Sequence, residues 1–169
     1  GLPGGAVAGK REIMELLAHR GDPAWDRSER VAQQGTFNAN PLSAVAGVAT
    51  LEAVADGSLQ ARANKLGEVL RSALAEVMKR VGAPGTAFGE ASIYHVSFEG
   101  RPGWAGFDRP RRTHLYHVLR CALLNHGVDC SMYHGWVSAV HSEEDLALSV
   151  QAYERALAEL AADGWFKGT

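Results

Sequence analysis

Residues 58 to 169 predict an α+β arrangement, helices laid over a small sheet, while residues 1 to 57 read as part of a larger layered core. Three features of the pattern point there. Ile93 to Phe98 alternates, with Tyr94, Val96 and Phe98 on one face and Ile93, His95 and Ser97 on the other, the period of a half-buried strand. Apolar residues on either side of it recur at three and four, the period of helices that bury one stripe. The helix expected at Leu42 to Val54 is apolar or small almost all round, so it needs cover on every side. That is more burial than 169 residues easily supply.

Composition narrows the partners. With 46% hydrophobic residues the chain can bury a sizeable core. Seventeen Lys plus Arg against nineteen Asp plus Glu leave a net charge of −2, which argues against nucleic acid or an anionic membrane as the main partner and favours small molecules or protein. The two cysteines, Cys121 and Cys130, make no disulfide framework and read as reduced and cytoplasmic. No apolar run approaches the roughly 18 residues of a membrane span. The start, Gly1-Leu2-Pro3-Gly4-Gly5 without an initiator Met, reads as the interior of a longer chain.

The elements are expected in this order. A Gly-rich turn leads to a short strand, Ala6 to Ala8, then a helix from Lys10 to Arg20 with Ile13, Leu16 and Leu17 on one side, stopped by Gly21-Asp22-Pro23. Residues 22 to 40 show no period and read as a long loop. Asn40 is the N-cap and Pro41 the first residue of the apolar helix. Asp56-Gly57 ends it, the domain boundary falls at Gly57, and Ser58 caps an amphipathic helix with Leu66, Leu70, Ala73 or Leu74, and Val77 inward. Gly82 to Gly89 is a turn, Ile93 to Phe98 a strand, and Gly100 to Pro110 an irregular loop. Thr113 to His126 is a helix stopped by Gly127, with Leu115, Val118, Leu119, Ala122 and Leu123 inward. Val128 to Ser131 and Trp136 to Val140 complete the sheet. Ser142-Glu143-Glu144-Asp145 opens the last helix with a capping signature, and Leu146, Val150, Tyr153, Leu157 and Leu160 form its stripe.

Few residues invite chemistry. His114 and His117 lie one turn apart, but His126, His134 and His141 are scattered and no acidic residue stands at ligand spacing, so no metal site is assigned. Cys121 beside Ala122 and Leu123 reads as core, with a nucleophile beside a histidine as the alternative. Arg109, Arg111 and Arg112 make a basic patch, either a solvated loop or an anion grip. Gly35-Thr36-Phe37-Asn38-Ala39-Asn40-Pro41 stands apart. It offers a glycine amide, a threonine hydroxyl and asparagine side chains on a loop that feeds a helix N-terminus, the way phosphates are held; a plain capped turn is the alternative.

Three stretches resemble the class III, pyridoxal-phosphate-dependent aminotransferases, in the glutamate-1-semialdehyde aminomutase-like branch. Gly1 to Gly9 with Arg11-Glu12-Ile13-Met14 is similar to the Gly-Gly-Leu-Pro segment after the Schiff-base lysine. Gln34 to Leu42, with Ala46-Gly47 and Ala49-Thr50-Leu51, is similar to the Gly-Thr loop and its helix. Trp136 to Leu146 resembles the strand-to-helix signature near the C-terminus. The resemblance implies the C-terminal part of an α/β, fold-type I enzyme: residues 1 to 57 as the distal end of the large cofactor domain, 58 to 169 as the small α+β domain. It implies a homodimer whose cofactor site is shared across subunits, pyridoxal 5'-phosphate as cofactor, and amine and keto or aldehyde compounds as substrates. Thr36, with Gly35 and neighbouring amides, would bind the cofactor phosphate of the other subunit.

Two departures bear on function. The Schiff-base lysine is expected upstream of Gly1, and none of Lys10, Lys65, Lys79 and Lys167 matches it, so the 169 residues alone are expected to be inactive. Where the branch carries Phe-Glu-Ala, this chain has Met132-Tyr133-His134-Gly135-Trp136, which favours transamination of another amine over the intramolecular aminomutase reaction. A non-catalytic dimerisation or binding module is the reading from another class.

Overall fold

A computed structural model describes residues 2–98, 109–131 and 133–166, with the backbone alone at 109–112. The chain divides into two compact units, Gly1–Asp56 and Gly57–Thr169.

The first unit holds little regular structure. Residues 2 to 10 have no strand: an isolated Ala-Val-Ala has no neighbouring strand to take up its N–H and C=O groups. The expected helix from Lys10 is shorter, α1 at Arg11–Met14 continued by a 3-10 turn at Glu15–Leu17. Beyond it the loop has structure of its own, a single π-helical turn at Trp25–Glu29. One side-chain and one backbone hydrogen bond tie that stretch back to the 3-10 segment and its C-cap. Trp25 Nε1 donates to the Ala18 carbonyl at 2.9 Å, and Val31 N–H donates to the Leu16 carbonyl at 2.9 Å. The Asp26 carboxylate accepts from the amides of Arg20 and Gly21 at 2.9 and 3.0 Å, which lowers its pKa. The long helix, α2, spans Pro41–Val54. Asn40 and Pro41 start it as their chemistry dictates. No residue of α2 is buried, and Leu42, Val45, Val48 and Leu51 are exposed.

The second unit is helices over a three-stranded antiparallel sheet. Its elements are α3 at Ser58–Arg80, β1 at Thr86–Phe88, β2 at Ile93–Ser97, α4 at Arg109–Asn125, β3 at His134–Trp136 and α5 at Glu143–Ala162. The strand order is β1-β2-β3, with Ala87 opposite Val96 and Tyr94 opposite Gly135. Tyr94, Val96 and Phe98 face the core as their alternation requires. Against them pack Leu70, Leu74, Val77 and Met78 of α3, Leu115, Leu119 and Leu123 of α4, and Leu146, Tyr153, Leu157 and Leu160 of α5. Each such side chain contributes roughly 1.5–3 kcal/mol of burial.

The same device ends all three helices. Gly82, Gly127 and Gly164 take left-handed backbone with φ of 69°, 85° and 79°. The next residue then donates its N–H to a carbonyl five residues back: Ala83 to Met78 at 2.9 Å, Val128 to Leu123 at 3.0 Å, and Trp165 to Leu160 at 3.0 Å. In each case the donor residue is apolar and packs with the core, as a Schellman cap requires.

Several expectations change here. The helix α3 is preceded by Gly57, with φ of 76°, at the cap position, and no side chain caps it; Ser58 is its first residue. Residues 82 to 89 are not all turn, because Thr86–Phe88 pairs with β2 as an edge strand. Val128 to Ser131 is not a strand, since Val128 is committed to the cap of α4. The third strand is His134–Trp136, not Trp136 to Val140: Val137 N–H donates to the Ser92 carbonyl, and beyond it Ser138 and His141 close a turn into α5. Cys121 is exposed, not core. The expected loop at Gly100 to Pro110 lies largely outside the described residues, as do the side chains of Arg109, Arg111 and Arg112.

Candidate functional site

The loop entering α2 is built from two overlapping turns. Asn38 N–H donates to the Gly35 carbonyl and Asn40 N–H to the Phe37 carbonyl, both at 3.1 Å, with Ala39 left-handed at φ 58°. A Cβ at Gly35 would fall 2.8 Å from Asn38 Oδ1. Moving that side chain would break the surface hydrogen bond that its Nδ2 donates to Gln33 Oε1 at 3.0 Å. Asn40 Oδ1 accepts from Ser43 N–H at 3.1 Å, and Pro41 brings no N–H that would need a partner.

The tip of this loop is left with free donors. Among the described residues, the amides of Gly35, Thr36 and Phe37 and the Thr36 hydroxyl have no hydrogen-bond partner, and all three residues are exposed. No acidic side chain stands in the first turn of α2, so the partial positive charge of the helix start is not cancelled. Free amides, a hydroxyl and a positive helix end suit a phosphate ester. The residues therefore fit the phosphate end of the cofactor that the resemblance implies.

A second feature lies in the sheet unit. A groove of about 420 Å³ is lined by Tyr94, Cys130, His134, His141, Asp145 and Leu146 among others. Behind this lining, Cys130 Sγ lies 3.6 Å from Oη of the core residue Tyr153. Burial pushes the Cys130 thiol and the Tyr94 phenol up and the Tyr153 phenol well up, which favours the neutral form of each. Across the sheet face away from Tyr94, rings touch in a row. Phe88 stacks on His95 at 5.0 Å, His95 meets His134 at 5.6 Å, and His134 meets Tyr133 at 4.7 Å and Trp136 at 4.9 Å. The register makes this row, since Phe88, His95 and His134 are direct cross-strand neighbours. His134 Nδ1 is buried without a partner among the described residues.

His114, His126 and His141 do not join this row. His114 packs edge-on against Trp165, His126 pairs with Glu159 at 2.9 Å, and Nδ1 of His141 accepts from the Ser138 amide at 3.0 Å. Among the described residues no group of three or more His, Cys, Asp or Glu could hold a metal ion. Sequence reading missed the cross-strand ring row, whose signal, an aromatic or histidine at Phe88, His95 and His134, becomes visible only once the register is known.

A model of the class-III aminotransferases matches residues 1–90. The chain belongs to the class-III aminotransferase family. A glutamate-1-semialdehyde 2,1-aminomutase of Methanosarcina acetivorans is 31% identical over 160 residues, 90% of this chain and 35% of the relative. An omega-transaminase from Sphaerobacter thermophilus superposes with a TM-score of 0.74 at 25% identity, covering 88% of this chain and 34% of that one. A transaminase with PLP bound has the same fold, with a TM-score of 0.72 at 24% identity over 93% of this chain and 35% of that one. This class-III aminotransferase chain thus spans about a third of the length of the relatives it matches. Its architecture is that of the C-terminal part of a fold-type I transferase. No single helix among the described residues is long and apolar enough to cross a membrane.

Proposed function

We propose that the whole protein transfers an amino group between an amino compound and a keto or aldehyde acceptor with pyridoxal 5'-phosphate, as a cytoplasmic homodimer that shares its cofactor sites across the subunit boundary. The observation that carries this reading is the exposed Gly35-Thr36 turn, with its unpartnered amides and hydroxyl at the start of α2. On this reading Gly1 to Gly57 is the distal end of the cofactor domain and 58 to 169 the small domain.

The chain's own contribution is positional. The Thr36 hydroxyl and the Gly35 and Thr36 amides donate to the phosphate, and the start of α2 adds its partial positive charge. Gly35 lets the backbone approach closely, and the Asn38 to Gln33 bond holds the turn in shape. The cofactor, when bound, supplies the electron sink for bond breaking at the amino-bearing carbon. Leu42, Val45, Val48 and Leu51 of α2 supply the apolar cover of a subunit interface.

Intramolecular transfer on glutamate 1-semialdehyde is the second reading, favoured by the aminomutase relative at 31% identity. Against it stands the ring row at Tyr133, His134 and Trp136, which puts no carboxylate where that branch has its Phe-Glu-Ala. A panel of amine donors with a keto-acid acceptor, run on the complete enzyme, separates them. Amino product that depends on both donor and acceptor supports transamination; isomerisation of glutamate 1-semialdehyde with no transfer to an added acceptor supports the aminomutase. No turnover and no cofactor binding would leave a non-catalytic dimerisation module.

A further inference from the structure

The turn that carries the free amides of Gly35, Thr36 and Phe37 is closed by a pair of neutral side chains outside it. Asn38 is tied twice: its N–H donates to the Gly35 carbonyl at 3.1 Å, and its Nδ2 donates to Gln33 Oε1 at 3.0 Å. Residues 33 and 38 flank the free donors, so the second bond joins the two ends of the turn. Asn38 also occupies the space over Gly35, where an added Cβ would lie 2.8 Å from its Oδ1 and 3.3 Å from its Cγ. Glycine at 35 and asparagine at 38 are thus fitted to each other.

The backbone held in this way is not one that relaxes there unaided. Ala39 is left-handed at φ 58°, which a Cβ disfavours, and such a residue persists only where neighbouring contacts over-determine it. Asn38 ties the chain on one side of it; on the other, Asn40 donates its N–H to the Phe37 carbonyl at 3.1 Å and accepts from Ser43. The Gly35 and Phe37 carbonyls are consumed inside the turn, which removes two acceptors that would repel an anion. A binding loop already in its bound shape avoids the ordering cost that a loose one carries.

We propose that Asn38, held by Gln33, is a positioning residue for the cofactor phosphate, a role that rests on the proposed assignment of the Gly35-Thr36 turn to that phosphate. Thr36 and the amides make the contacts; Asn38 keeps them in place and adds no charge beside the anion.

Pyridoxal 5'-phosphate and pyridoxal differ only in the phosphate, so the ratio of their dissociation constants for the complete enzyme, freed of cofactor and titrated by absorbance, reads the phosphate grip separately from the rest of the site. Asn38→Ala should weaken pyridoxal 5'-phosphate by about three- to tenfold, the range of one hydrogen bond's net contribution, and leave pyridoxal within about twofold. Gln33→Ala should act in the same direction, and the double variant should lose no more than the worse single one, because both work through one bond. Thr36→Ala is measured alongside. If Thr36→Ala lowers the phosphate preference and Asn38→Ala does not, the positioning role is overturned while the phosphate assignment stands; if Thr36→Ala leaves the preference unchanged, both fall. The positioning role is also overturned if Asn38→Ala weakens both compounds equally, or if the losses from Gln33→Ala and Asn38→Ala multiply.

Discussion

At the scale of single residues, close backbone approach decides more than side-chain type. Gly85, with φ of 98°, lies so near β2 that a Cβ would overlap the Ser97 carbonyl, and Gly67 lets α3 approach Ala91 and Ser92, where a Cβ would come within 2.7 Å of the Ala91 oxygen. Gly85→Ala should therefore break the β1–β2 pairing, lowering the melting temperature of the second unit well beyond a typical surface substitution. An unchanged melt would mean that the hairpin can shift aside. Cys121 shows the limit of reading residues singly. Its neighbours Ala122 and Leu123 suggest core, but at about 100° per residue it falls on the far side of α4 from Leu115 and Leu119. Cys130 is the half-buried one, beside Tyr153 and with its thiol pushed up by burial. It should alkylate more slowly than Cys121 at neutral pH, measured by peptide mapping; the reverse order would contradict the described packing.

At the scale of elements, starts and stops were the most legible features. Asn40-Pro41, Ser142 with Asp145, and the glycines at 82, 127 and 164 each announce a boundary because only those residue types satisfy free backbone groups or adopt φ > 0 there. In α5 the box is complete: Asp145 N–H donates to Ser142 Oγ at 3.1 Å, and Ser142 N–H to Asp145 Oδ2 at 2.7 Å. Ser142→Ala should cost about 1 kcal/mol in denaturant unfolding, and Gly127→Ala, which forces a Cβ into left-handed backbone, about 1–2 kcal/mol. The Ser142 amide lowers the Asp145 pKa, so its contribution is present above the ordinary carboxylate range and lost as pH falls through the lowered folded value. Acid, not alkali, should therefore speed amide exchange at the first turn of α5 beyond the intrinsic trend. Short strands were the illegible elements. Thr86–Phe88 and His134–Trp136 are three residues each, too short to display a period, and pairing with β2 rather than their own sequence makes them strands.

At the scale of the whole chain the two units differ in how they are held. The second buries a continuous core from three helices and a sheet, whereas the first has no buried residue in α1 or α2. Leu157→Ala, at a fully buried site, should destabilise the second unit by about 2–5 kcal/mol. Amides of α3 and α5 should exchange more slowly than those of α2 in the 169-residue chain; equal protection would contradict the contrast in burial. That α2 needs cover was readable from its lack of a polar face, and the class-III aminotransferase match, to relatives about three times longer, is consistent with cover lying outside these residues. The turn proposed to hold the phosphate was readable as a polar loop feeding a helix start, from Gly35-Thr36 ahead of Asn40-Pro41, though its free amides are visible only in three dimensions.

The most direct test of the account is the affinity of the complete enzyme for pyridoxal 5'-phosphate with Thr36 replaced by alanine, read from the cofactor's absorbance during titration. Loss of a charge-assisted bond to the phosphate should weaken binding by about 1–3 kcal/mol, with Thr36→Ser retaining most of the affinity. An unchanged dissociation constant in Thr36→Ala would contradict the assignment of the Gly35-Thr36 turn to the cofactor phosphate.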